Sequence, residues 1–359
     1  MGSRGGSELA RGVIDVAGVR RSYRVASAPR RSGQAAPPLL IALHGAGMDG
    51  QAMARLTGLA DRGPAAGITT VFPDGWKGCW HPARPPASQP DLDDARFLSE
   101  LAAQLEGAGA ARSWPVFLAG IAAGARYAEY VARHGLLPVA GLFLVAGTAL
   151  EFGRRQAPVP QLRASMVLVI GTGDRTTPYA GGRLTRAGLP GMLQRHRAAR
   201  HGELPDEDLV ASAEDVLGDW AAANGVTPSA ATASGFATSG VAGHGSADHG
   251  FSGYRTGGAG LSVTGSFTRP QIEELPTPPG DLPVTRKAWT RPGCHSATLY
   301  RIDGGGHGWP GGPQPPVRAG AGCGPVSRQP DATGLLLDMA ERETASALGY
   351  PALDRSGIA

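Results

Sequence analysis

The apolar positions of this chain fall into short continuous runs, separated by stretches with helical spacing. Leu39-Leu40-Ile41-Ala42-Leu43 is unbroken, and Ile68-Thr69-Thr70-Val71-Phe72 repeats the pattern before Pro73 stops it. Runs of this length bounded by turn formers predict buried strands. Val116-Phe117-Leu118, Leu142–Val145, Met166–Ile170 and Thr298–Ile302 read the same way, and residues 12–25 alternate as an opening pair of strands. Between these runs lie helical stretches. Asp93-Asp94 open one, with Phe97, Leu98, Leu101 and Leu105 on one face and acids at the positive helix end. A second starts at Ala123 with Tyr127, Tyr130 and Val131; a third covers Glu207–Ala223 with Val210, Val216, Leu217 and Trp220 inward; a last covers Asp331–Leu348. Strands alternating with helices predict an α/β fold, a mostly parallel central sheet with helices on both faces.

Residues 12–345 read as one such domain, with a flexible N-terminus at 1–11 and a C-terminal tail at 346–359. Residues 225–285 interrupt it. They are rich in Gly, Ala, Ser and Thr with few large apolar side chains, so they predict a flexible surface insertion. His244, Asp248 and His249 lie there and could bind a metal, but the composition favours a solvated loop and no metal site is assigned.

Composition narrows the function classes. In 359 residues, 55 Gly and 30 Pro predict long loops in a globular chain. The net charge of +4 is carried mostly by scattered arginines, with no dense basic run interleaved with aromatics, which argues against a nucleic-acid surface. Arg20-Arg21 and Arg30-Arg31 read as solvated charge. No run approaches the ~20 apolar residues of a membrane span. The N-terminus lacks the apolar core of a signal peptide, so the expectation is a cytoplasmic chain, or a secreted one whose signal has been removed. Cys79, Cys294 and Cys323 leave open one disulfide with a spare thiol or three thiols, and give no metal-site spacing. Oligomeric state is not legible.

Candidate chemistry falls in four pieces, each directly after a predicted strand. His44-Gly45-Ala46-Gly47 follows Leu39–Leu43, where an HG-rich loop can offer the Ala46 or Gly47 backbone N–H to an oxyanion. Gly120-Ile121-Ala122-Ala123-Gly124 has the form of the G-x-S-x-G nucleophile elbow, with alanine in place of serine. The Ala123 N–H would be the second oxyanion donor, and as backbone it survives the loss of the serine. Gly171-Thr172-Gly173-Asp174 places an acid that can orient a histidine or cap a turn. Gly304-Gly305-Gly306-His307-Gly308-Trp309-Pro310 presents a histidine on a loop after the last strand. The order nucleophile, acid, histidine is that of α/β-hydrolases.

These pieces, with Phe72-Pro73-Asp74-Gly75, Cys79-Trp80, Asp93-Asp94 with Phe97-Leu98, Pro178-Tyr179, Trp220 with Asn224-Gly225, and His307 with Trp309-Pro310-Gly311, make the sequence resemble the polyhydroxyalkanoate (PHB) depolymerase-type esterases, a group that includes feruloyl and acetylxylan esterases. The resemblance spans about residues 12 to 345. It implies an α/β-hydrolase fold, ester hydrolysis, a triad of position 122, Asp174 and His307, no cofactor, and an ester-containing small molecule or polymer as ligand. His44, Trp80 and Trp309 are candidates for the substrate cleft, the two tryptophans equally for core packing.

Ala122 departs from that family, and the insertion at 225–285 is longer than it leads one to expect. An alanine methyl cannot attack a carbonyl. Two readings follow: an introduced Ser→Ala change in an esterase, or a natural pseudoenzyme that binds an ester-like ligand or uses His307 for non-covalent acid–base work.

Overall fold

The computed structural model describes residues 9–29, 37–82, 85–106, 115–151, 163–185, 209–226, 269–313 and 323–347. The apolar runs form the strands predicted for them. β1 (Ala10–Val16) and β2 (Val19–Ala26) are an antiparallel hairpin, followed by β3 (Leu39–Leu43), β4 (Thr69–Pro73), β5 (Val116–Ile121), β6 (Gly141–Val145) and β7 (Ser165–Gly171). Two short strands, β8 (Gly182–Arg183) and β9 (Leu209–Val210), pair with each other, and β10 (Gln271–Leu275), β11 (Val284–Trp289) and β12 (Ala297–Ile302) complete the set. The helices are α1 (Gly50–Thr57), α2 (Leu59–Ala65), α3 (Asp94–Glu106), α4 (Ala123–Arg133), α5 (Ala213–Ala223) and α6 (Ala332–Ala347).

The main sheet runs β1-β2-β4-β3-β5-β6-β7-β12-β11-β10. Its six middle strands, β4 to β12 in that order, are mutually parallel, and the flanking pairs are antiparallel. The parallel strands are buried on both faces, as their unbroken apolar runs require. Alternate residues divide between two cores. Ile41, Leu118, Leu144 and Leu168 pack with Phe97 of α3, Val131 of α4 and Trp220 of α5, whereas Ala42, Phe117, Phe143 and Val167 pack with Met53 of α1, Leu59 of α2 and Leu336 of α6. Helices therefore cover both faces, and the fold is the α/β-hydrolase architecture. Because six strands share one direction, the loops after β3, β4, β5, β6, β7 and β12 all emerge at one edge, where open α/β sheets place their ligands.

Several expectations change. The third helix starts at Ala213, not Glu207: Ser212 caps it by accepting from the Asp215 N–H, and Leu209–Val210 is strand β9. Helices α1 and α2 are not among the predicted elements; Gly58, in the left-handed conformation, separates them. The chain pairs from Ala10, inside the segment expected to be flexible. The expected insertion contains β10 and the start of β11, paired antiparallel from Gln271 with Ala288 to Leu275 with Val284. Its central part, with His244, Asp248 and His249, lies outside the described residues, as do Arg30 and Arg31. Arg21 is buried rather than solvated. Its guanidinium lies 2.6 Å from Asp94 and stacks 4.1 Å from the Phe97 ring centroid, so the acid that opens α3 also neutralises a core cation. None of Cys79, Cys294 and Cys323 is in a disulfide. Among the described residues, no helix is long and apolar enough to cross a membrane, and no three His, Cys, Asp or Glu side chains are grouped to hold a metal ion.

Two glycines make opposite predictions. A Cβ at Gly124 would overlap the Leu43 carbonyl oxygen and lie 2.6 Å from that of His44. Gly124→Ala is therefore expected to cost about 2 kcal/mol or more, since α4 must move off β3. At Gly218, in α5, a Cβ meets nothing within 4 Å, so Gly218→Ala is expected to stabilise by about 0.5–1 kcal/mol. Urea unfolding of the two variants checks both signs.

Candidate active site

The site is built on the turn between β5 and α4. A Cβ at Gly120 would sit 2.5 Å from the carbonyl carbon of Gly124, so the strand end and the first helical turn touch backbone to backbone. That contact forces residue 122 into φ 53°, ψ −114°, a conformation costing a Cβ-bearing residue about 1–3 kcal/mol. The turn is held by Ala122 N–H to Val145 O (2.9 Å) and Arg126 N–H to Ala122 O (3.1 Å). The Ala123 N–H belongs to the first turn of α4, where amides lack an intrahelical partner.

The loop after β3 lies against this turn: a Cβ at Gly45 would be 3.7 Å from the Ala122 Cβ. Its shape is set by His44, whose Nδ1–H donates to Gly45 O (2.8 Å) while Nε2 accepts from Gly75 N–H (2.8 Å). Burial lowers the His44 pKa, the neighbouring Asp74, Asp49 and Asp94 only partly opposing it. A neutral imidazole is what both hydrogen bonds require. His44 is fully buried, with both ring nitrogens used, so it shapes the loop and does not face a substrate. Of the two expected loop donors, Gly47 is excluded because its N–H is committed to Gly78 O (2.8 Å). The Ala46 N–H meets no acceptor among the described residues.

Both tryptophans are core residues. Trp80 stacks on Tyr127, with centroids 5.4 Å apart, and donates Nε1–H to His44 O at 2.9 Å. Trp309 is 1% exposed and donates to Thr333 Oγ1 at 3.0 Å, the threonine donating in turn to Thr57 O at 2.7 Å. Burial and committed N–H groups select the packing role for both.

Asp174 and His307 meet. The His307 Nδ1–H donates to Asp174 Oδ2 at 2.8 Å, with the carboxylate side chain fully buried and the imidazole 14% exposed. The other carboxylate oxygen, Oδ1, accepts from the N–H groups of Thr176 (2.8 Å) and Thr177 (2.9 Å). Turn capping and histidine orientation thus occupy different oxygens of one side chain. This fixes the neutral histidine as the Nδ1–H tautomer, leaving Nε2 the basic nitrogen.

Neighbouring backbone holds the two loops together. Thr172 N–H bonds Ile302 O, Gly173 N–H bonds Gly305 O, and Gly304 N–H bonds Thr172 Oγ1. The His307 loop is fixed from behind by Gly306 N–H to Pro325 O (2.7 Å) and His307 N–H to Cys323 O (2.5 Å). The sequence reading named Gly75 and Cys323 without these roles, and missed Gly78, Thr177, Gly324 and Pro325. They act through single backbone groups or one hydroxyl, and no composition or periodicity marks them.

No family model matches the chain, and no curated protein matches it. Solved structures similar to it include S-formylglutathione hydrolase from Staphylococcus aureus (11% identity, covering 46% of this chain and 80% of that one, TM-score 0.35). An acetyl xylan esterase from Aspergillus awamori is similar at 13% identity, over 46% and 73% of the two chains, with a TM-score of 0.33. A thermostable esterase is similar at 13% identity, over 48% and 49%, with a TM-score of 0.37. TM-scores at this level assign neither family nor substrate; the functional reading rests on this chain's own strand order and site geometry.

Two measurements follow. Glycine relieves the left-handed strain at position 122 but adds unfolded-state entropy, so Ala122→Gly is expected to stabilise by about 1 kcal/mol in urea unfolding. His44 has a folded-state pKa below its unfolded value, so its contribution is complete above the unfolded pKa and declines as pH falls below it towards the folded pKa. Its imidazole is expected to titrate below the ordinary histidine value in an NMR titration. Unfolding below about pH 6.5 should then take up a proton at His44 that a His44→Gln variant does not.

Proposed function

We propose that this chain has the machinery of a serine-type carboxylic ester hydrolase of the PHB depolymerase type, and that Ala122 in the nucleophile position leaves it inactive or nearly so. The observation that carries the reading is the 2.8 Å His307–Asp174 hydrogen bond at the same sheet edge as the positive-φ elbow of residue 122. The ligand class is a carboxylic ester, in a small molecule or a polymer.

With serine at 122, His307 Nε2 takes the hydroxyl proton as the oxygen attacks the ester carbonyl. Buried Asp174 holds the ring and stabilises the imidazolium. The Ala46 and Ala123 N–H groups stabilise the tetrahedral oxyanion, His307 returns the proton to the leaving alcohol, and water releases the acyl group by the same route. With alanine there is neither a nucleophilic oxygen nor a proton for His307 Nε2 to take. Loss of the nucleophile in such a site costs on the order of 10⁶ in turnover.

A second reading, a natural ester-binding protein on the same framework, is favoured by one residue, Ala122 itself. It needs the oxyanion donors but not the basic Nε2.

Ala122→Ser separates the two. The esterase reading expects p-nitrophenyl acetate turnover to rise by on the order of 10³-fold or more. It also expects the gain to vanish in the Ala122→Ser, His307→Ala double variant and to be largely lost with Asp174→Asn. A folded Ala122→Ser protein without turnover over a broad panel of esters, yet binding them, supports the binder.

A further inference from the structure

Asp174 must present one oxygen to His307, and its carboxylate is held only by what surrounds it. We infer that Thr177 is the positioning residue that fixes the Asp174 turn against the elbow, through its side-chain hydroxyl. This deepens the hydrolase reading above by naming what aligns its acid with its nucleophile position.

Three elements converge on this side chain. Thr177 is fully buried, and its N–H donates to Asp174 Oδ1 at 2.9 Å. Its hydroxyl donates to Ala146 O at 3.0 Å and accepts from Arg126 Nη1 at 3.4 Å. Ala146, just after β6, is in a left-handed conformation, φ 49°, with its own N–H bonded to Val169 O of β7. The next residue, Gly147, lies against the elbow: a Cβ there would be 2.5 Å from Ala122 O. Arg126 stands one turn into α4, its N–H bonded to that same Ala122 O. One hydroxyl therefore links the turn that carries the acid, the turn that backs position 122, and the helix that starts there.

The amides of Thr176 and Thr177 tie Asp174 only to its own turn, and those of Thr172 and Gly173 tie that turn to the β12 side; the Thr177 hydroxyl ties it to the end of β6 and to α4. The hydroxyl converts two adjacent loops into one frame. A carboxylate displaced by about 1 Å no longer meets Nδ1–H in line, and misplacement of that size costs on the order of 10²-fold in rate.

Thr177→Val keeps the shape and the N–H but removes the hydroxyl; Thr177→Ser keeps the hydroxyl. In the chain with Ala122, proton NMR should show a His307 Nδ1–H signal protected from solvent exchange. That signal is expected to persist in Thr177→Ser and to broaden or vanish in Thr177→Val at temperatures where both are folded by circular dichroism. In the Ala122→Ser background, Thr177→Val is expected to lower kcat on the order of 10²-fold with KM within about threefold, and Thr177→Ser to restore most of it. If valine prevents folding, Thr177→Ala replaces it in the same comparison. A folded hydroxyl-free variant with an unchanged Nδ1–H signal overturns the inference, whatever the turnover. A signal lost in valine and kept in serine, in a protein where Ala122→Ser gives no turnover, upholds the positioning role and sinks the hydrolase reading instead.

Discussion

The contact on which the site depends is backbone against backbone. Gly120 meets Gly124, and Gly124 in turn lies under the carbonyls of Leu43 and His44. No side chain fits in either gap. α4 can therefore start directly at the end of β5, close enough to β3 that the HG loop stands beside residue 122. The strained dihedrals at 122 are a consequence: the chain must reverse from strand to helix in one residue, and only an unusual φ/ψ does so. Move the helix by an ångström and the amide of Ala123, the loop at Ala46 and position 122 lose their common focus.

Around that turn, polar groups are held by specific hydrogen-bond partners. His44 stays neutral because it is buried, and in that state one nitrogen donates and the other accepts. Gly47 gives its amide to Gly78, and Gly50 gives its own to the Asp74 carboxylate, which also takes the Ser22 hydroxyl at 2.6 Å. At the proposed centre the Asp174 carboxylate accepts from the His307 Nδ1–H. It is also supported by two amides, so the cost of burying it is met by hydrogen bonds.

The strand positions and the mostly parallel sheet were legible because unbroken apolar runs of five or six residues have few other uses. Asp174 and His307 were legible because each follows a predicted strand with glycines around it. What failed had a physical cause in each case. His44 and Trp309 sit in motifs that look functional, but a ring near a site is as useful for packing behind it. Gly47 carries a free-looking amide in sequence, and only the fold brings Gly78 within reach. Arg21 looked solvated because nothing local predicts Asp94, 73 positions away, as its partner. β10 was hidden since an exposed edge strand of polar and apolar residues leaves no periodicity distinct from loop.

The alanine at 122 alters less of this arrangement than its place suggests. Serine and alanine share the same Cβ, and the Cβ, not the oxygen, makes the left-handed backbone costly. The elbow is thus equally strained with either residue, and the geometry gives no relief for having lost the hydroxyl. What disappears is one oxygen. The amides of Ala46 and Ala123, the ring of His307 and the carboxylate of Asp174 do not depend on it, since none takes its position from residue 122's side chain. In the proposed hydrolase, a site arranged this way keeps its donors for a developing oxyanion while lacking the bond-forming atom. In that state binding and chemistry are separated by a single atom.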